Sequence, residues 1–149
     1  MAVVSGQVIM LSDVNAARDF GLEPVEPSGD PIRPIVLKLI DRELMLVEVD
    51  RYSPPEPPVE AVDRELADVR ARFATEDTFD AALARSGIDV AHLRQTLREN
   101  LRIRAYLDQR FTIPASGSEE RRRMLVDEWV AGLRRRATVI DLSAPASLP

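Results

Sequence analysis

At 149 residues, with 45% apolar and 30% charged side chains, the chain has the composition of a folded domain rather than a disordered one. One domain of this length buries roughly two thirds of its unfolded surface. A net charge of −5 argues against general attraction to nucleic acid or anionic lipid, and the lack of cysteine excludes disulfides, thiol catalysis and thiolate metal sites.

Residues 2–10 read as two short β runs about Ser5-Gly6, a pair suited to a tight hairpin. So short a hairpin needs a third strand or a helix to lie on. Ser12 is the expected cap of a short helix from Asp13 to Phe20, closed by Gly21. Glu23 to Pro31, with three prolines and Gly29, reads as a surface loop.

The stretch from Pro34 to Tyr52 organises the rest. Helical spacing puts Ile35, Leu39, Leu46 and Val49 on one side and Val36, Ile40, Leu44 and Val47 on another, with Leu37 and Met45 widening the apolar surface. A helix apolar round most of its circumference must be buried by several partners or span a bilayer. Lys38, Asp41, Arg42, Glu43, Glu48, Asp50 and Arg51 interrupt it too often for a bilayer, so membrane insertion is not expected. Pro34 fits a first helical turn.

Ser53 to Pro58 carries four prolines and forms a stiff corner. Val59, Val62, Leu66, Val69 and Phe73 step by three or four, which predicts an amphipathic helix from about Val59 to Phe73. Thr75, Glu76 and Asp77 start the next, which ends at Gly87. Asp89 caps a long helix striped by Val90, Leu93, Leu97 and Leu101 and continued by Ile103, Tyr106, Leu107 and Phe111. After a loop from Thr112 to Ser118, Ser116 and Glu119 have capping-box spacing, and a last helix runs to about Arg136. Thr138 to Leu142 is a strand candidate, and Ser143 to Pro149 reads as a frayed tail. A strand at each end of the chain predicts that the two pair. The expected fold is mainly α: about six helices around a central buried helix, with an N-terminal hairpin paired to a C-terminal strand. The expected domain is 1–142, with core helices in 12–111 and a returning helix and strand in 118–142.

Little here carries catalysis. His92 is the only histidine and reads as a helix-surface residue; without cysteine, the usual zinc ligand sets and nucleophile–base pairs are missing. No catalytic residue, metal or cofactor is expected. The carboxylate pairs Asp41/Glu43, Glu119/Glu120 and Asp127/Glu128 read as solvated helix faces or complements to helix dipoles. Arg121 to Arg123 and Arg134 to Arg136 spread round their helix instead of forming one basic stripe, so nucleic-acid binding is not expected. Trp129 reads as core. Tyr52, Phe73, Tyr106 and Phe111, at or near helix ends, are either buried there or form a peptide-binding surface.

Several segments together resemble one family. Val3 to Asp13 is similar to the opening hairpin and short helix of the periplasmic chaperone SurA and its relatives, and Leu39 to Leu46 to the central helix of that domain. Phe79 to Ile88 and then Leu93 to Leu101 resemble its next helix pair, in the same order and spacing. Glu119 to Leu142 resembles the C-terminal piece that folds back onto that domain. Family members usually carry parvulin-type prolyl isomerase domains before the returning helix. Here only seven loop residues separate Phe111 from Glu119, so isomerase activity is not carried over. The resemblance implies an ATP-independent holdase core for unfolded outer-membrane or secreted chains. It also implies a periplasmic location; no signal peptide is visible, and one is expected to have been removed. The short connector raises the expectation of a homodimer that exchanges its C-terminal helix. The alternatives are a non-catalytic dimerisation or protein-interaction module and, third, a helical DNA-binding regulator.

Overall fold

The computed structural model describes residues 1–24, 26–27, 29–113 and 117–142. Among these, β1 (Ala2–Val4) and β2 (Gln7–Ile9) are followed by α1 (Leu11–Asp19), α2 (Arg33–Tyr52), α3 (Val59–Arg70), α4 (Glu76–Ser86), α5 (Val90–Arg110), α6 (Glu119–Arg136) and β3 (Val139–Asp141). The mainly helical architecture matches the expectation.

Ser5 and Gly6 both adopt positive φ, +48° and +89°, the conformation that lets a two-residue turn match the twist of its strands. The hairpin gains its third strand from the far end of the chain. β3 pairs antiparallel with β1, giving the order β2-β1-β3, with Val3 opposite both Val8 and Ile140. Alternation then sends Ala2, Val4 and Ile9 into the core and Val3, Val8 and Ile140 to the other face.

Three caps differ from expectation. α1 starts at Leu11, not Asp13, because the Asp13 carboxylate reaches back to accept the Met10 amide at 2.8 Å; Ser12 lies inside the helix. α3 stops at Arg70 because residues 71–73 tighten into a turn, with the Phe73 amide bonded to the Arg70 carbonyl at 3.0 Å. At α6 it is Ser118 whose hydroxyl accepts the Arg121 amide, while Ser116 and the tail from Ser143 lie outside the described residues. The cap of α5 is as expected: Asp89 Oδ1 accepts the His92 amide at 2.7 Å. Asp89→Ala should lower stability by about 1 kcal/mol in urea denaturation, the usual loss for an N-cap carboxylate.

The core has two main parts. Ala2, Val4 and Ile9 of the sheet meet Val14 and Ala17 of α1, Ile35, Val36, Leu39, Ile40 and Leu44 of α2, and Leu133 of α6. Phe20, Leu66, Val69, Phe79, Leu83, Leu93 and Leu97 form the second part, from the end of α1 through α3, α4 and α5. α1 serves both, because Val14 and Ala17 face one cluster while Ala16 faces the other. α2 packs against α1, α5, α6 and the hairpin, whereas α3 lies chiefly on α5 and α4 on α1.

α6 lies on α2 of its own chain. Arg134 Nε donates to Asp41 Oδ1 at 2.5 Å, and Arg122 donates to Asp108 at 2.6 Å and to the Phe111 carbonyl at 3.2 Å. Asp41 is thus an interhelix tie instead of a solvated face, and Arg134 acts through that tie.

Candidate functional site

A cleft of about 450 Å³ opens between β2, α1, α2 and α5. Each helix contributes one face at regular spacing. α2 supplies Leu39, Arg42, Glu43, Leu46, Val47 and Asp50; α5 supplies His92, Gln95, Thr96 and Glu99; α1 supplies Asp13, Ala16 and Ala17. Leu22 and Glu23, just after α1, also line it, and Gln7 to Met10 form the wall on the strand side. The central helix is therefore not covered all round: Leu46 is half-buried and Val47 exposed, and both line this opening.

Arg42 holds the floor to the α5 wall. Its side chain is buried, and its guanidinium donates to Glu43 Oε1 at 2.8 Å, Glu99 Oε2 at 2.7 Å and Asn100 Oδ1 at 2.8 Å. Five carboxylates line the cleft, from Asp13, Glu23, Glu43, Asp50 and Glu99, against this one guanidinium and His92. His92 Nε2 stands 3.4 Å from Asp13 Oδ1, and Asp50 pairs with Arg102 at 2.7 Å. Glu43, expected on a solvated face, is half-buried. Burial pushes its carboxyl above the usual range, against the pull of Arg42 and helped by Glu99. Burial raises Glu23 in the same way, with Arg42 and Lys38 too weak to offset it. Glu23 has no hydrogen-bond or ion-pair partner among the described residues.

Glu23 sets up a pH signature. A carboxyl whose folded pKa exceeds its unfolded 4.5 costs stability when ionised, a cost complete above the folded value and absent below the unfolded one. Glu23→Gln should therefore raise the melting temperature at pH 7, and the gain should close as pH falls to 4.5. Thermal melts of the two proteins across that range check it.

The four aromatic candidates fall into two places. Tyr106 is buried; it stacks on the exposed Tyr52 at 5.6 Å and on Trp129 at 5.8 Å, and Trp129 meets Phe111 at 5.6 Å. Arg110 lies 5.3 Å over the Trp129 ring. Trp129, half-buried, seals α6 onto α2 and α5. Phe73 lies apart, with Phe20 and Phe79 in the second core cluster. None of the four lines the cleft. What marked the cleft in the sequence was the recurrence 39-42-43-46-47-50 along α2, a helical stripe that mixes leucine and valine with charges and so escapes a search for purely apolar faces.

No group of three or more His, Asp or Glu among the described residues is placed to hold a metal ion, and none of the described helices is long and apolar enough to cross a membrane. No protein-family model and no curated protein matches the chain.

Proposed function

We propose that this chain is a non-catalytic, ATP-independent holdase domain for unfolded polypeptides, of the SurA type but without parvulin domains, and periplasmic. The observation that carries this reading is the open cleft, which offers Leu46, Val47 and Met10 alongside carboxylates on a helical floor. Holding a non-native chain requires accessible apolar surface that does not demand one sequence, and such a floor supplies it. The order hairpin, short helix, long helix and returning helix, with β3 closing on β1, also supports it. The purified protein should suppress aggregation of a chemically denatured client at stoichiometric ratio. No suppression at several-fold excess would remove the proposal.

A second reading, a dimerisation module, is favoured by the outer face of the sheet. There Met1, Val8, Ile140 and Leu142 are all exposed. A stable dimer needs about 800 Å² per partner, so this small face would have to be extended by α6, directly or by exchange of that helix. Light scattering that reports a stable dimer with no client binding favours it.

A further inference from the structure

The cleft differs from a generic apolar groove in its charge, and that difference selects what fills it. Resting on the holdase reading, we propose that it takes an extended segment whose cleft-facing side chains, two positions apart, include both apolar residues and lysine or arginine. Glu23 receives a basic side chain, and Leu46 and Val47 receive the apolar ones.

Three features point this way. The floor from Leu39 to Asp50 spans about 16 Å at a helical rise of ~1.5 Å per residue, room for about five residues of extended chain. The wall on the other side is a sheet edge. In a two-residue hairpin Val4 and Gln7 exchange both hydrogen bonds, so Val8 directs its N–H and C=O away from β1, and no strand among the described residues covers that side. An extended backbone can add there. Last, the carboxylates outnumber the cations in the cleft, and Glu23 sits half-buried with nothing among the described residues bonded to it. A cation brought to Glu23 relieves that, whereas an acidic segment would add to the repulsion.

The test is fluorescence anisotropy with short labelled peptides that carry valine and, two positions on, lysine, serine or glutamate. The lysine peptide should bind about tenfold more tightly than the serine peptide, one charge-assisted contact's worth, and the glutamate peptide most weakly. The preference should shrink in Glu23→Gln, which breaks no bond among the described residues, and weaken as salt rises. Val8→Pro removes the outward donor and should weaken all peptides alike by about fivefold. Equal binding of the three peptides, or a lysine preference untouched by Glu23→Gln, overturns the inference and leaves the holdase reading standing. Affinities unchanged in Val8→Pro overturn the added strand. Suppressed client aggregation with no peptide bound also overturns the inference alone; if neither is seen, both fall.

Discussion

Arg42→Ala should cost about 3–5 kcal/mol, the usual loss when one member of a buried ionic network is removed. The guanidinium sits in α2 and bonds to three α5 groups, Glu99, Asn100 and the Thr96 carbonyl, as well as to Glu43. Its removal leaves Glu43, already raised by burial, and Glu99 facing each other across the cleft floor with nothing between them. The loss is read as a fall in the urea midpoint at pH 7. Lowering the pH should shrink it, because protonating Glu43, whose carboxyl burial already raises, removes the repulsion. Replacing all three together, with Arg42→Met, Glu43→Gln and Glu99→Gln, should recover most of the stability. A single-variant loss below about 1 kcal/mol would show instead that the network lies in water and does not hold the helices.

Phe79→Ala should cost a similar amount, about 3–5 kcal/mol, by a different route. The ring is 1% exposed and meets Phe20 and Phe73 at centroid distances of 5.8 and 5.6 Å, with Arg70 4.9 Å over its face. Alanine leaves a cavity where α1, α3 and α4 meet. α1 and α4 are held as well by Asp19, whose carboxylate accepts from Arg85 and Ser86 of α4; burial opposes its ionisation, but Arg18 and Arg85 outweigh that and hold it below its ordinary range. Set against the 5–15 kcal/mol typical of a whole domain, the loss takes much of the total. Hydrogen exchange should show α4 and α3 losing protection before β1 and β3 do, since the sheet belongs to the other cluster.

The sequence carried most of the local structure because local structure answers to neighbours in the chain. Ser5-Gly6 could only turn tightly, Asp89 could only cap the helix beginning at Val90, and the prolines from 54 to 58 could only interrupt a helix. The pairing of the two chain ends was legible too, since a lone hairpin is too small to be stable. Caps were misread where two polar groups competed: Ser12 and Asp13 are adjacent, and the longer Asp13 side chain reaches the Met10 amide while Ser12 enters the helix.

What only the tertiary structure decided is how partners are shared out. Tyr52, Phe73, Tyr106 and Phe111 look equivalent along the chain, yet Tyr106 and Phe111 meet Trp129 of α6, Tyr52 meets Tyr106, and Phe73 joins Phe20 and Phe79, because Tyr106 and Trp129 pack with side chains of α2 and α5 in a cluster separate from that of Phe20 and Phe79. The carboxylates of the cleft come from α1, α2, α5 and the loop between α1 and α2, up to 86 positions apart in the chain from Asp13 to Glu99. Nothing local brings such groups together; only the angle at which α2 meets α1 and α5 does, and that angle is set by packing volumes that no stretch of sequence holds by itself.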